Sequence, residues 1–283
     1  MIKPTRLDGL RSHSRRQPAV AARIVLCALL LSILPVLSPA VFGKTGDRGP
    51  QQSHILTWRG YRWKISNSRA GGGLVKGSLD NVFVDGSGNL HLKMSKVDGV
   101  WSGAQLFSQA EFGFGTYQWV LKGKNFYNMD PPIVLGLFTF GPERGIGVDG
   151  ENEIDTEFSQ WNGTAGRINA DFTLYPSTGH HKPKTASAWE DNFEVAAPTA
   201  ATTTVRVNWT PTRVTWTIMA GTVPINRTAN VLKTDTYTGE AANIPQVPLP
   251  VAMNLWTFKQ LPTHPWDITI ADFQFVPDQT LSH

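Results

Sequence analysis

Glu153, Asp155 and Glu157 occupy alternate positions in Glu153-Ile154-Asp155-Thr156-Glu157-Phe158. In an extended strand, residues i, i+2 and i+4 share one face, so the three carboxyls line up while Ile154, Thr156 and Phe158 turn the other way. Like charges on one face repel, so this ladder asks for a use. A calcium cluster would take the oxygens as ligands, and a solvated edge strand would merely tolerate them. A third chemistry is glycosidic cleavage, in which two carboxyls about 5–5.5 Å apart act as nucleophile and acid/base. On an ideal strand the Cα atoms of Glu153 and Glu157 would lie ~13 Å apart. Their side chains would therefore have to lean together over a concave sheet. Asp155, between them, supplies negative charge that helps keep one glutamate protonated.

Strands must carry this ladder, and the surrounding sequence provides them. From about Ser53 to Val276 the chain is written as short alternating runs separated by turn residues, the pattern of an all-β protein. Trp58–Ile65 is one such run, and Asn81–Met94 reads as two strands about an Asp85-Gly86 turn. Phe112–Leu121, Thr203–Trp209, Val214–Ile218 and Ile268–Phe275 alternate in the same way. Ile133–Phe140 is continuously apolar, which suits a strand buried on both faces. No stretch keeps helical periodicity for more than a turn or two, and no repeat of 20–50 residues is present. A single large sandwich is the expected architecture. Gly145-Ile-Gly147-Val-Asp-Gly150 satisfies a dinucleotide-loop spacing, but it precedes a strand and has no βαβ unit around it.

Of the 283 residues, 41% are hydrophobic and only 17% charged, a balance that excludes a disordered chain. The net charge of +4 does not point to nucleic acid. Six of the 26 basic residues but one of the 22 acidic ones fall within residues 1–40, leaving the remainder at −1. Residues 1–40 have the parts of a secretory signal: a basic start through Arg23, an apolar stretch from Ile24 to Leu34, and Ser38-Pro39-Ala40 as a cleavage site. Residues 41–52 read as a linker, and 53–283 as the working domain. Cys27, the single cysteine, lies inside the leader, so thiol chemistry is excluded from the mature chain. A secreted protein is expected, extracellular or periplasmic, with no membrane contact after signal removal.

Six stretches in order resemble glycoside hydrolase family 16, over roughly residues 80–276. Asp85-Gly86-Ser-Gly-Asn89-Leu90-His-Leu92 is similar to the family's early hairpin. Phe112-Gly-Phe-Gly-Thr-Tyr117 resembles its Tyr-Gly-x-Tyr-Glu strand, and Phe138-Thr-Phe140-Gly141-Pro142 followed by the acids resembles the lichenase pattern. Trp209-Thr-Pro211 with Val214-Thr-Trp216, Met253-Asn254-Leu255-Trp256, and Asp272-Phe-Gln-Phe275 complete the set. The resemblance implies a β-jelly-roll sandwich of two antiparallel sheets with a concave substrate cleft. It also implies Glu153 as nucleophile, Asp155 as helper and Glu157 as acid/base of a retaining endo-β-glucanase, mixed 1,3-1,4 linkages favoured. Asn254 and Trp256 match positions that line the family's cleft and His181 falls where lichenases carry a histidine, so these would bind substrate. Trp161, just after the acids, is placed to stack on a sugar ring.

No cofactor and no catalytic metal is implied, while a structural calcium is left open. The partner is a polysaccharide, not nucleic acid, and a monomer is expected. The same scaffold also supports a transglycosylase or a catalytically silent, lectin-like carbohydrate binder. Two departures fall where subsites are expected. Gln118-Trp119-Val120 replaces the Glu-x-Arg that lichenases carry on a cleft strand, and Glu151 replaces an aromatic two residues before the nucleophile.

Overall fold

A computed structural model describes residues 54–70, 73–163, 168–180 and 187–279. The expected leader and linker lie outside these residues, as does His181. The strands, in chain order, are β1 (Ile55–Trp58), β2 (Tyr61–Ile65), β3 (Lys76–Gly77), β4 (Val82–Val84), β5 (Leu90–Val97), β6 (Val100–Phe112), β7 (Gly115–Lys122) and β8 (Ile133–Phe140). They continue with β9 (Glu153–Ser159), β10 (Ala170–Tyr175), β11 (Trp189–Phe193), β12 (Thr202–Thr210), β13 (Arg213–Ala220), β14 (Val231–Tyr237), β15 (Leu249–Thr257) and β16 (Trp266–Pro277). Among the described residues the only helical elements are five single 3-10 turns.

Two antiparallel layers form. The front sheet runs β11-β10-β9-β8-β15-β6-β2-β1. The back sheet runs β4-β5-β16-β7-β12-β13-β14. The β5–β6 hairpin passes from one layer to the other through the pairs Ser95↔Ser102 to Val97↔Val100, and the short β3 lies parallel to β6. Alternation explains the layering. Ile154, Thr156 and Phe158 of β9 are fully buried between the sheets, as are Tyr117 and Trp119 of β7. One hydrophobic core joins both layers, and aromatic rings stitch across it. Phe172 of β10 stacks on Trp216 of β13 with centroids 5.7 Å apart, and Trp63 of β2 meets Phe273 of β16 edge-on at 5.5 Å.

The turns show where local chemistry overrode periodicity. The Trp58–Ile65 run is not one strand but a hairpin, because Arg59 and Gly60 both take positive φ (52° and 79°), the backbone of a two-residue turn that suits strand twist. Ile133–Phe140 is buried along almost its whole length, as its apolar run requires. The Gly145–Gly150 segment is a loop of left-handed glycines leading into β9, so the dinucleotide spacing has no helix to serve.

Candidate active site

β9 lies in the front sheet between β8 and β10, and strand register assembles the site. Glu157 stands opposite Gly136 of β8 and Asp171 of β10. Asp155 faces Phe138 and Thr173, and Glu153 faces Phe140 and Tyr175. One strand further out, Glu190 and Asn192 of β11 oppose Thr173 and Asp171. On the other side, Asn254 and Trp256 of β15 oppose Gly136 and Val134, and Gln105 of β6 opposes Asn254. These side chains point away from the core, yet Asp155, Asp171, Asn254 and Gln105 are at most 5% exposed. Polar groups this deeply sunk on an outer face mean that the face is hollowed. Glu153 and Glu157 keep part of their surface open to it.

Gly136 makes room on the floor of the hollow. A Cβ there would come within 2.6 Å of Asn254 Oδ1, the atom that accepts the Gly136 N–H at 3.1 Å. Aromatic side chains border the carboxyls at both ends. Phe107, Phe138 and Phe140 pack around Ala252 on the Glu153 side. Trp161, Trp256 and Phe258 pack against Ala70 and Val134 on the Glu157 side.

Burial and mutual repulsion govern protonation here. Burial, then the charge of Asp149, pushes Glu153 up to about 8, while a hydrogen bond with Asp155 pulls it back. Asp155 is likewise raised, by burial and then by the charges of Glu153, Glu157 and Asp171. Burial also raises Glu157, followed by the charge of Asp171 and then Glu153, against a lowering hydrogen bond from the Trp256 indole. Asp171 is pushed up by burial to about 8, against a hydrogen bond from Trp161 that stabilises its anion. Tyr175 is raised by burial and by these acids, so it remains a hydroxyl donor. The site thus holds protons on carboxyls at pH values where exposed ones have lost them. Among the described residues, no three His, Cys, Asp or Glu side chains are grouped so as to hold a metal ion.

Glu153, Asp155, Glu157, Asn254 and Trp256, each expected at the site, converge on this face. Trp161 joins them through an edge-on contact with Trp256 at 6.2 Å, and its Nε1–H donates to Asp171 Oδ2 at 2.6 Å. His181 lies outside the described residues. The Gln118 expectation is corrected: β7 belongs to the back sheet, where Gln118 accepts from Arg206 and donates to the Val223 carbonyl. The cleft position falls instead to Gln105 and Phe107 of β6. Glu151 is buried and accepts the backbone N–H groups of Gly179 at 2.9 Å and Val148 at 3.2 Å, fastening the loop before β9 to the loop after β10. Sequence reasoning passed over Asp171, Thr173 and Tyr175. Their period-2 spacing in Asp171-Phe172-Thr173-Leu174-Tyr175 was the available signal.

A two-layer antiparallel sandwich with a carboxylate ladder in a hollow, aromatic-bordered face defines a carbohydrate-active β-sandwich. Residues 75–271 match the profile of glycosyl hydrolases family 16, and the chain belongs to that family. No curated protein matches it by sequence. Among solved structures it is similar to a Bacillus licheniformis β-glucanase, at 17% identity and TM-score 0.57, covering 81% of this chain and 95% of that one. It is also similar to a laminarinase from Flavobacterium sp. UMI-01, at 14% identity and TM-score 0.55, covering 75% and 92%. A third is a family 16 endo-glucanase from Bacteroides ovatus in complex with G4G3G-2F-DNP, at 11% identity and TM-score 0.51, covering 81% and 97%. These likenesses establish the jelly-roll fold.

Proposed function

We propose that the protein is a secreted, retaining endo-β-glucanase with a preference for mixed 1,3-1,4 linkages. The observation that carries this is the ladder Glu153-Asp155-Glu157 at the bottom of a hollow face, in a chain of a glycoside hydrolase family. Neutral, hydroxyl-rich sugar rings suit the aromatic groups at both ends, and the acids between them supply the chemistry.

In the first step a Glu153 carboxylate oxygen attacks the anomeric carbon. The bond from that carbon to the leaving oxygen breaks, and Glu157 delivers its proton to that oxygen. A glycosyl ester of Glu153 results. Glu157, now ionised, takes a proton from water as the water oxygen attacks the anomeric carbon and frees Glu153. Asp155, protonated, donates a hydrogen bond to Glu153 and keeps it aligned. Tyr175, opposite Glu153, offers a second donor near the same centre.

The test is product release from mixed-linkage β-glucan, laminarin, xyloglucan and agarose, with Glu153→Ala and Glu157→Ala run beside the native protein. Cleavage of mixed-linkage glucan and its loss in both variants is expected. Added azide should then assign the roles. It traps the ester in Glu157→Ala as a β-glycosyl azide, and attacks substrate directly in Glu153→Ala to give the α-anomer. Unimpaired activity in Glu153→Ala would overturn the assignment. Transfer to a sugar acceptor in place of hydrolysis would make the protein a transglycosylase, and oligosaccharide binding without turnover would make it a lectin-like binder.

A further inference from the structure

We infer that Asp171, held by the Trp161 indole, is a positioning residue that keeps the proton on Glu157 until the leaving group takes it. The inference rests on the proposed role of Glu157 as acid/base. Asp171 is the direct cross-strand partner of Glu157 in the β9–β10 pair, and both project onto the hollow face. Directly opposed residues on one face have Cβ atoms about 4.5–5.5 Å apart, close enough for one carboxylate to oppose ionisation of the other. Asp171 is 1% exposed, so little water screens the pair.

An anion at that depth needs a donor, and the structure supplies one. Trp161 Nε1–H donates to Asp171 Oδ2 at 2.6 Å, a charge-assisted bond that favours the ionised form. The other oxygen, Oδ1, is buried without a hydrogen-bond partner. Trp161 is itself fixed in place. It takes φ +47°, followed by Asn162 at +63° and Gly163 at +70°, a backbone that a bulky residue seldom adopts. Its ring meets Phe258 edge-on at 5.0 Å, and its backbone N–H donates to Ser159 Oγ at 3.0 Å.

Of the other groups facing Glu157, the carboxylates of Glu153 and of Glu190 act in the same sense but less than Asp171. On its own strand Asp155 pairs with Glu153, and Glu153 must be ionised to attack. On β8 the opposing residue is Gly136, without a side chain. Asn254 and Trp256 of β15 are neutral, and Trp256 donates to Glu157, which favours its ionised form. On β10 Thr173 and Tyr175 are neutral hydroxyls, Thr173 adding to the stabilisation of the Asp171 anion, and Glu190 of β11, one strand further away, is the weakest of the charges that raise Glu157. The four carboxyls share protons, and in the state competent for attack the two charges sit at the ends of the row, on Glu153 and Asp171, with Asp155 and Glu157 protonated between them. Asp155 serves the nucleophile and Asp171 serves the acid.

The experiment is the pH profile of kcat/KM on the responsive glucan for Asp171→Asn, Asp171→Glu and Trp161→Phe, each checked for native circular dichroism. Asp171→Asn should move the basic limb down by at least about one pH unit, roughly a tenfold loss on that limb. Asp171→Glu, which keeps the charge, should leave the limb near its native position. Trp161→Phe, which removes the N–H donor, should shift it in the same direction as Asp171→Asn. A basic limb unmoved in folded Asp171→Asn overturns the inference, and if that variant does not fold, Trp161→Phe decides by the same criterion. Azide products separate the two levels. A β-glycosyl azide from Glu157→Ala together with an unmoved limb sinks only the role of Asp171. Absence of that azide sinks the role of Glu157, and Asp171's role with it.

Discussion

Raising the pH from about 5 to about 8 should destabilise this protein, and the four front-sheet carboxyls set the size of the effect. Each binds its proton more tightly folded than unfolded. The folded state therefore carries more bound protons across this window, and stability falls as pH rises through it. Glu153 alone, moved from an ordinary 4.5 to about 8, corresponds to at most ~5 kcal/mol at 1.36 kcal/mol per unit. The groups share protons, and Glu153 and Glu157 retain open surface, so about 2–4 kcal/mol is expected for the whole face. In a domain of this size that lowers Tm by about 5–15 °C. Asp85 does not confuse the result. Hydrogen bonds from Asn89 hold it below the usual carboxylate range, so its contribution is lost only as pH falls below about 4. The assay is calorimetry at constant ionic strength across the window, on the native protein and on Asp155→Asn/Glu157→Gln, which removes two of the titrating groups. The double variant should be more stable than the native protein at about pH 8 and should show a shallower fall. A native Tm that is flat or rises over the window refutes the reasoning, as does an equally steep fall in the double variant.

Three further outcomes follow from the same geometry. Trp256→Phe removes the indole donor that favours ionised Glu157, so its basic limb in kcat/KM should move upward, opposite to Asp171→Asn; a downward shift would contradict the assigned bond. Gly136→Ala places a methyl 2.6 Å from Asn254 Oδ1 and displaces the floor beneath Glu157. Steady-state kinetics should show kcat about 100-fold lower, and a loss below threefold would mean that the floor is soft. Phe172→Ala, which removes a fully buried ring stacked on Trp216, should cost about 3–5 kcal/mol in urea unfolding; a cost under about 1 kcal/mol would place little weight on that cross-sheet contact.

Period-2 spacing made much of the site legible, because a strand has only two faces. Glu153, Asp155 and Glu157 had to share one, and Ile154 and Phe158 had to sit in the core. The same periodicity does not say which sheet a strand joins, and there the sequence misleads. Tyr117 and Trp119 alternate with polar residues just as a cleft strand would, yet β7 lies in the back sheet and Gln118 answers to Arg206. Asp171 stayed hidden for a related reason. Its strand pattern is visible, but its position opposite Glu157 depends on register across a connection of ten residues between β9 and β10, which no local pattern specifies. The Arg59-Gly60 turn was missed because the arginine at positive φ is atypical for that position, while the alternation on either side of it continued unbroken.

Two indoles donate to carboxyls of the same face, Trp161 to Asp171 and Trp256 to Glu157. An indole's emission responds to the charge beside it, so these two tryptophans make the protein its own optical proton gauge. Fluorescence followed through a pH titration, with no glucan present, would record when the face loses its protons. The same signal would register an oligosaccharide displacing water from the hollow, before any bond is cut.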